Sequence, residues 1–402
     1  MARGVEGRVR RAVVAGAGIA GLATALRLHQ TGWEVLVVER APARRSSGYL
    51  VNLLGQGYDA AARLGVLPAL ADRDLGVFTS ILVKADGRPK LTVPAALAQA
   101  ALGARAITVF RGDLESTLYE AVRPAVAIRF GTTVRAVTQD HDEVRVTLSD
   151  GTSERADLLV GADGLHSGVR EVVFGPEPEF RVDLRHVVGA FPLDRVPREV
   201  PDGAGATFIG PRRTAAVINL GPGRSSAFFT YRSDDPADLA RGPVRALTAV
   251  FGDLGGGVPD ALRQLEADPT GAYFDSVGQV VMDRWSRGRV VVLGDAAWCV
   301  SLFAGYGAAL ALAGADHLGT ALAEHGDDVP AALAHWEGLL RPEVRTRQAS
   351  ARRGISQYAP PSQAHVRARE LMIRAIGLPG IRSLVRRSVQ RANRTSTAPD
   401  RD

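Results

Sequence analysis

Gly16, Gly18 and Gly21 are the first residues in the chain whose types and spacing could do chemistry. They sit between an apolar run, Arg11 to Ala15, and a stretch in which Leu22, Ala25, Leu26 and Leu28 fall at helical spacing up to Gly32. A strand entering a helix through such a turn suits a dinucleotide. The first glycine permits the sharp turn, the second lets backbone approach a pyrophosphate, and the third lets the helix pack on the strand. The helix start adds free N–H groups and partial positive charge. Glu39 ends the next apolar run, Val35 to Val38, where a carboxylate would accept a hydrogen bond from a ribose hydroxyl. A packing turn without a ligand is the bland alternative. The motif alone leaves FAD and NAD open.

Two further turns carry polar residues at strand ends. Asp157 to Val160 reads as a strand that runs into Gly161-Ala162-Asp163-Gly164-Leu165-His166-Ser167-Gly168-Val169-Arg170. Val290 to Leu293 reads as another, ending in Gly294-Asp295-Ala296-Ala297. Between the first motif and these lies Arg111-Gly112-Asp113-Leu114, with Asp113 placed as a helix N-cap.

The elements that must position these turns are alternating strands and helices at one end of the chain and short strands in the middle. Ile128–Phe130, Val134–Thr138 and Val144–Leu148 read as strands separated by turns. Val187–Phe191, Ala215–Leu220 and Ala227–Tyr231 are β-like runs within a Pro- and Gly-rich region, Arg181 to Phe274, and Ser80–Lys84 joins them. An Ala-rich helix is expected from about Gly305, and helices rich in arginine follow Val329. The tail from Arg391 to Asp402 reads as polar and frayed.

With the three turns in this order, the sequence resembles the class A flavoprotein monooxygenases, the para-hydroxybenzoate hydroxylase-like family, which includes polyketide-tailoring hydroxylases and tetracycline-modifying enzymes. The resemblance runs from about Arg11 to Ala315. It implies an α/β fold: a Rossmann-like FAD-binding domain (1–75, 99–180 and 275–345), an inserted β-sheet substrate domain (76–98 and 181–274), and a C-terminal helical segment and tail (346–402). One FAD would be held by Gly16, Gly18, Ala20, Gly21, Glu39 and Arg40, with Arg111 along the cofactor. Arg45 or its neighbour Arg44 would steady it or, equally, be a solvated loop arginine. Asp163 and Gly164 would lie near the pyrophosphate and the nicotinamide path, and Gly294, Asp295 and Ala296 near the ribityl chain and phosphates. Gly305, Gly307 and Ala308 would open a helix whose amino end faces the flavin pyrimidine edge and stabilises the charge of the reduced ring.

The resemblance also implies the reaction. NAD(P)H would bind transiently and reduce FAD; dioxygen would then react at flavin C4a and oxidise an electron-rich aromatic or polyketide-like molecule. No catalytic side chain is assigned, because the cofactor carries the difficult step. No second glycine motif exists for a resident nicotinamide. Tyr49, Tyr58, Leu302 and Phe303 are candidates to line the substrate space. The chain departs from the family where a histidine and a proline-rich turn usually follow the two alanines. It has Trp298-Cys299-Val300-Ser301-Leu302-Phe303 there, and Ala309 where asparagine is common. That change motivates two rivals on the same scaffold, a flavin-bound redox-neutral cyclase and a non-catalytic ligand-binding flavoprotein.

Composition excludes other classes. The 402 residues exceed the roughly 250–300 at which a single core stops growing. With 46% hydrophobic and 23% charged residues the chain is neither disordered nor a disulfide scaffold, and its one cysteine, Cys299, suits a reducing cytoplasm. Only two of the 49 basic residues are lysines, Lys84 and Lys90, yet acidic residues are interleaved throughout and the net charge is only +6. Composition bias explains this better than a nucleic-acid partner. The eight histidines are scattered, so no metal is expected, and no Gly-x-Ser-x-Gly elbow supports a hydrolase. Ala304 to Ala315 is too short to span a bilayer, so no membrane association is expected. The expected partners are a small-molecule substrate and O2, with the chain a monomer or homodimer.

Overall fold

A computed structural model describes residues 8–44, 49–96 and 105–376. Arg45, the basic stretch at 382–391 and the tail lie outside the described residues.

The valine-rich first strand, Arg11–Ala15, pairs in parallel with Glu34–Glu39 on one side and with Leu158–Gly161 on the other. Ala127–Phe130 and Val290–Val292 extend this sheet in parallel, and short Ser286–Arg287 closes one edge antiparallel. Continuous apolar runs are what a parallel sheet covered on both faces requires, and Val13, Val14, Val37, Leu159 and Val291 are all buried. The chain leaves the first strand toward one neighbour and returns much later on its other side. A crevice therefore opens at the strands' carboxyl ends, where the three motif turns lie.

The helix Gly307–Glu324 packs against the first helix, Ile19–Gln30. Small residues permit this closeness: a Cβ on Gly319 would stand 2.5 Å from Arg27 Cγ. Long Val329–Tyr358 runs beside it, with the Trp336 indole N–H donating to the Gly314 carbonyl at 2.9 Å.

Among the described residues, the middle region forms a seven-stranded sheet, in the order Tyr273–Val280, Arg181–Leu193, Ser225–Arg232, Arg213–Asn219, Ala204–Gly210, Thr79–Val83, Pro89–Val93. Its alternation sorts side chains by face. Val187, Ala215, Val217, Ala227, Phe229 and Tyr231 form one core with residues of the helices Gly242–Phe251 and Val258–Ala267. Those two helices were not foreseen in a region that reads as β-rich. Tyr273–Val280 is one continuous strand, so it crosses the boundary expected at 274/275. Two smaller sheets, Leu50–Leu54 with Ala106–Phe110 and a meander through 134–156, complete the strands among the described residues.

Candidate functional site

The first turn is fixed by backbone contacts. Gly16 has φ +106°, and a Cβ there would stand 2.4 Å from the Ala162 carbonyl oxygen. A Cβ on Gly21 would stand 1.9 Å from the Gly16 carbonyl oxygen. Gly18 differs, because a Cβ there would meet nothing closer than Glu115 Oε1 at 3.8 Å. Its openness serves a cavity rather than packing. Gly18 caps the first helix without a side-chain hydrogen bond, and no acid occupies the first turn. Glu39 accepts hydrogen bonds from the backbone N–H groups of Ala17 and Ala41, both at 2.8 Å, and so ties the second strand to the turn.

The second and third turns are locked to each other and to the first. Asp163 accepts from the Ser167 hydroxyl and from the Val169 N–H at 3.1 Å. Ser167 caps the short helix behind it, accepting from the Arg170 N–H at 2.9 Å. The fully buried Arg170 side chain donates to the Ala296 carbonyl at 2.9 Å and the Leu165 carbonyl at 2.7 Å, and it pairs with Glu177 at 3.2 Å. Thus one arginine clamps the Asp163 turn to the Asp295 turn. A Cβ on Gly294 would stand 2.8 Å from Ala20 Cβ, which brings the third turn against the first helix. Burial pushes the carboxyls of Asp163 and Asp295 upward, opposed at Asp163 by the Ser167 hydroxyl and at Asp295 by Arg111.

Arg111 opens the helix Arg111–Val122, pairs with Glu115 at 2.7 Å and lies 5.8 Å from the centre of the Tyr49 ring. Phe110 holds the cap position of that helix, so Asp113 sits in its first turn and is not the N-cap. Burial works against the Arg111 charge, yet Tyr49, Glu115, Asp295 and Tyr273 together raise its pKa. Burial pushes the Tyr49 phenol up to about 12 and raises that of Tyr273 further.

Gly305, at φ +64°, ends a short 3-10 turn, and Gly307 begins the helix Gly307–Glu324. Like the first helix, it starts with no side-chain cap and no acid in its first turn. Ala309 has a packing reason: a Cβ on Gly57 would stand 2.4 Å from Ala309 Cβ, leaving no room for a larger side chain.

All these features open on one cavity of about 1120 Å³. Gly16, Gly18, Ala20, Glu39, Arg40 and Arg111 line it, as do Asp163, Gly164, Asp295, Gly305, Gly307 and Ala308. Gly21, Gly294 and Ala296 stand behind the wall, and Arg44 reaches away to the Ser116 hydroxyl and the Tyr119 ring. Tyr49 and Leu302 line the cavity, whereas Tyr58 and Phe303 do not. Tyr58 packs toward the parallel-sheet core, and Phe303 stacks on Tyr358 with ring centres 4.7 Å apart. Trp298 also turns away, joining Trp285 at 4.6 Å and Trp336 at 5.7 Å in a buried cluster. The departure at 298–303 is therefore divided, with Cys299, Ser301 and Leu302 on the cavity wall and Trp298, Val300 and Phe303 packed away from it. Cys299 does face the cavity, with burial pushing its thiol well above the ordinary value.

The remaining wall was missed by the sequence reading. Phe78, just before a strand, Ser80, Thr207, Ser226 and Phe228 on strands, and Tyr358 at a helix end are far apart in the chain. The signal that could have found most of them is the period-two alternation, because each wall residue on a strand neighbours one committed to the other face.

The described residues contain no group of histidine, cysteine and carboxylate side chains arranged to hold a metal. They do fit a dinucleotide with an anionic middle and a reducible ring. Two long helices begin uncapped at one cavity, and its wall near Gly18 is bare backbone. Comparison with known proteins agrees. The FAD binding domain family matches residues 10–328. An uncharacterised protein of Mycobacterium tuberculosis is 31% identical over 358 residues, covering 85% of this chain and 92% of its own. The FAD-dependent monooxygenase asL6 of Sarocladium schorii is 29% identical, covering 86% and 88%. The crystal structure of tetracycline destructase Tet(51) superposes with a TM-score of 0.79 at 25% identity, covering 98% and 99%. The chain belongs to the FAD-binding-domain family of flavin-dependent monooxygenases, and FAD is its cofactor.

Proposed function

We propose that the protein uses NAD(P)H and O2 to hydroxylate or otherwise oxidise an aromatic or polyketide-like small molecule. The observation that carries this reading is the continuity of the cavity, from the three turns to one face of the seven-stranded sheet. Bound FAD supplies the hydride acceptance and the dioxygen chemistry. The chain's own residues bind, aim and exclude water. Gly16, Gly18 and the first N–H groups of Ile19–Gln30 hold the pyrophosphate, with Glu39 and Arg40 at the adenosine end. Asp163, Gly164 and Arg111 flank the cofactor, and Asp295 and the backbone around Gly294 and Ala296 take its ribityl side. The amino end of Gly307–Glu324 stabilises negative charge on the ring. Tyr49 and Tyr273 stay protonated at working pH, so their hydroxyls can donate to substrate or cofactor oxygens.

The purified protein is expected to be yellow. Mixed with NADPH under air, a suitable phenol should accelerate NADPH consumption and gain an oxygen atom. Turnover of the phenol without NADPH consumption would instead indicate a redox-neutral cyclase. Binding without turnover would indicate a sequestering protein, and failure to take up FAD would discard the reading altogether.

A further inference from the structure

The sheet half of the cavity differs in charge from the cofactor half. Ser80, Gly205, Ile218 and Ser226 are successive cross-strand partners, and Thr207, Ala216, Phe228, Ala190 and Tyr273 form the next row; all of these line the cavity except Ala190, which is buried, and Gly205, whose place on the wall is taken by the Phe78 ring lying over it. The first row crosses four strands, or three spacings of about 4.8 Å, so it runs roughly 14 Å. That is longer than one benzene ring and suits fused rings lying along it. Every cavity-lining residue that this sheet contributes is uncharged among the described residues. The hydroxyls of Ser80, Thr207 and Ser226 make no hydrogen bond to the described protein, which leaves them for oxygens of a ligand.

A carboxylate laid on these rows would shed water and meet no counter-charge, which is costly. Arg111, at the seam with the cofactor half, already pairs with Glu115 at 2.7 Å. Asp275, a partner of Val188 in the adjoining row, is itself a carboxylate and is held by His166 at 3.3 Å. The face therefore offers apolar area, hydroxyls and a seam whose charges are already paired.

Building on the oxygenase reading, we propose that the substrate is an uncharged phenol or quinone of two or more fused rings, and that the sheet face selects against carboxylated aromatics. The test uses the FAD-loaded protein and three probes of one shape: 2-naphthol, methyl 6-hydroxy-2-naphthoate and 6-hydroxy-2-naphthoate. Binding is read from the perturbation of the flavin absorption spectrum. Both neutral probes should bind, and the carboxylate should bind at least tenfold more weakly than its ester. In Ser80→Lys the carboxylate should tighten at least tenfold while the ester does not. Ser226→Lys provides the same test should Ser80→Lys fail to retain flavin, and the unmodified protein's ester-to-acid ratio decides the matter alone if both fail. Equal binding of acid and ester, or no binding of either neutral probe, overturns the inference. Neutral probes that bind selectively without stimulating NADPH consumption would leave this inference standing and remove the oxygenase reading, so the two failures are distinguishable.

Discussion

The two halves of the cavity are made of different material. The cofactor half is built largely from backbone: glycine turns, two uncapped helix starts and an arginine donating to carbonyl groups. The sheet half is built from side chains on strands that are remote in sequence. A backbone site tolerates almost no change in its glycines but is indifferent to many side chains. A side-chain site tolerates many replacements, each of which alters what it binds. The cofactor half should therefore fail in an all-or-none manner, and the sheet half should change its selectivity by degrees.

The largest effect is expected at Arg170. Replacement by methionine keeps the bulk but leaves the Ala296 and Leu165 carbonyls without their partner, while Glu177 keeps Arg181 and His166. A loss of about 1–3 kcal/mol for each orphaned carbonyl is expected. Denaturant titration should register it together with loss of bound flavin. Gly21→Ala comes next, because its Cβ would fall inside the Gly16 carbonyl and only backbone can move. Overpacking of this kind costs roughly 1–3 kcal/mol. The ratio of flavin to protein after purification should fall with it. A stable, fully yellow Gly21→Ala protein would break the contrast between the halves.

The same contrast explains what could be read from the sequence. Gly16, Gly18 and Gly21 announce themselves because the turn imposes their spacing within six residues. Asp163 and Asp295 follow because each ends an apolar run at the carboxyl edge of the parallel sheet. The sheet wall stayed hidden. Ser80 and Ser226 become neighbours only through two intervening strands, and no local pattern specifies that pairing. Tyr58 and Phe303 misled for a related reason. An aromatic side chain near a site suits core packing equally well, and the choice rests on tertiary contacts such as the stack on Tyr358. Asp113 misled through helix register, since its helix begins three residues earlier than the capping pattern suggests.

Phe228→Ala sharpens the comparison from the other side. Phe228 lines the cavity, while its neighbour Phe229 is committed to the core on the opposite face. Removing the ring should take away about 1.5–3 kcal/mol of apolar contact with the substrate. This corresponds to a rise in substrate KM of at least tenfold. Flavin content and thermal stability should stay close to those of the unmodified protein. A loss of flavin in this variant would mean that the halves are not energetically separate.

The smallest effect belongs to the seam itself. His166 follows the Asp163 turn and contacts Glu177 at 3.0 Å and Asp275 of the sheet at 3.3 Å, so it ties one half to the other. Arg170 and Arg181 also face Glu177. Asp275 raises the His166 pKa most; burial opposes the shift, and Glu177 adds to it. A histidine whose folded pKa lies above its unfolded value stabilises fully below the unfolded pKa, near 6.5, and loses that contribution as pH rises through the folded pKa. The side chain is 48% exposed, so solvent screening limits the contribution to about 1 kcal/mol or less. His166→Gln should therefore lower the melting temperature slightly at pH 6 and leave it nearly unchanged at pH 9. Because the contact joins the two halves without lining the substrate rows, flavin content should hold at both values of pH. A pH-independent loss would show that His166 acts by packing, and the seam would then owe its strength to shape instead of charge.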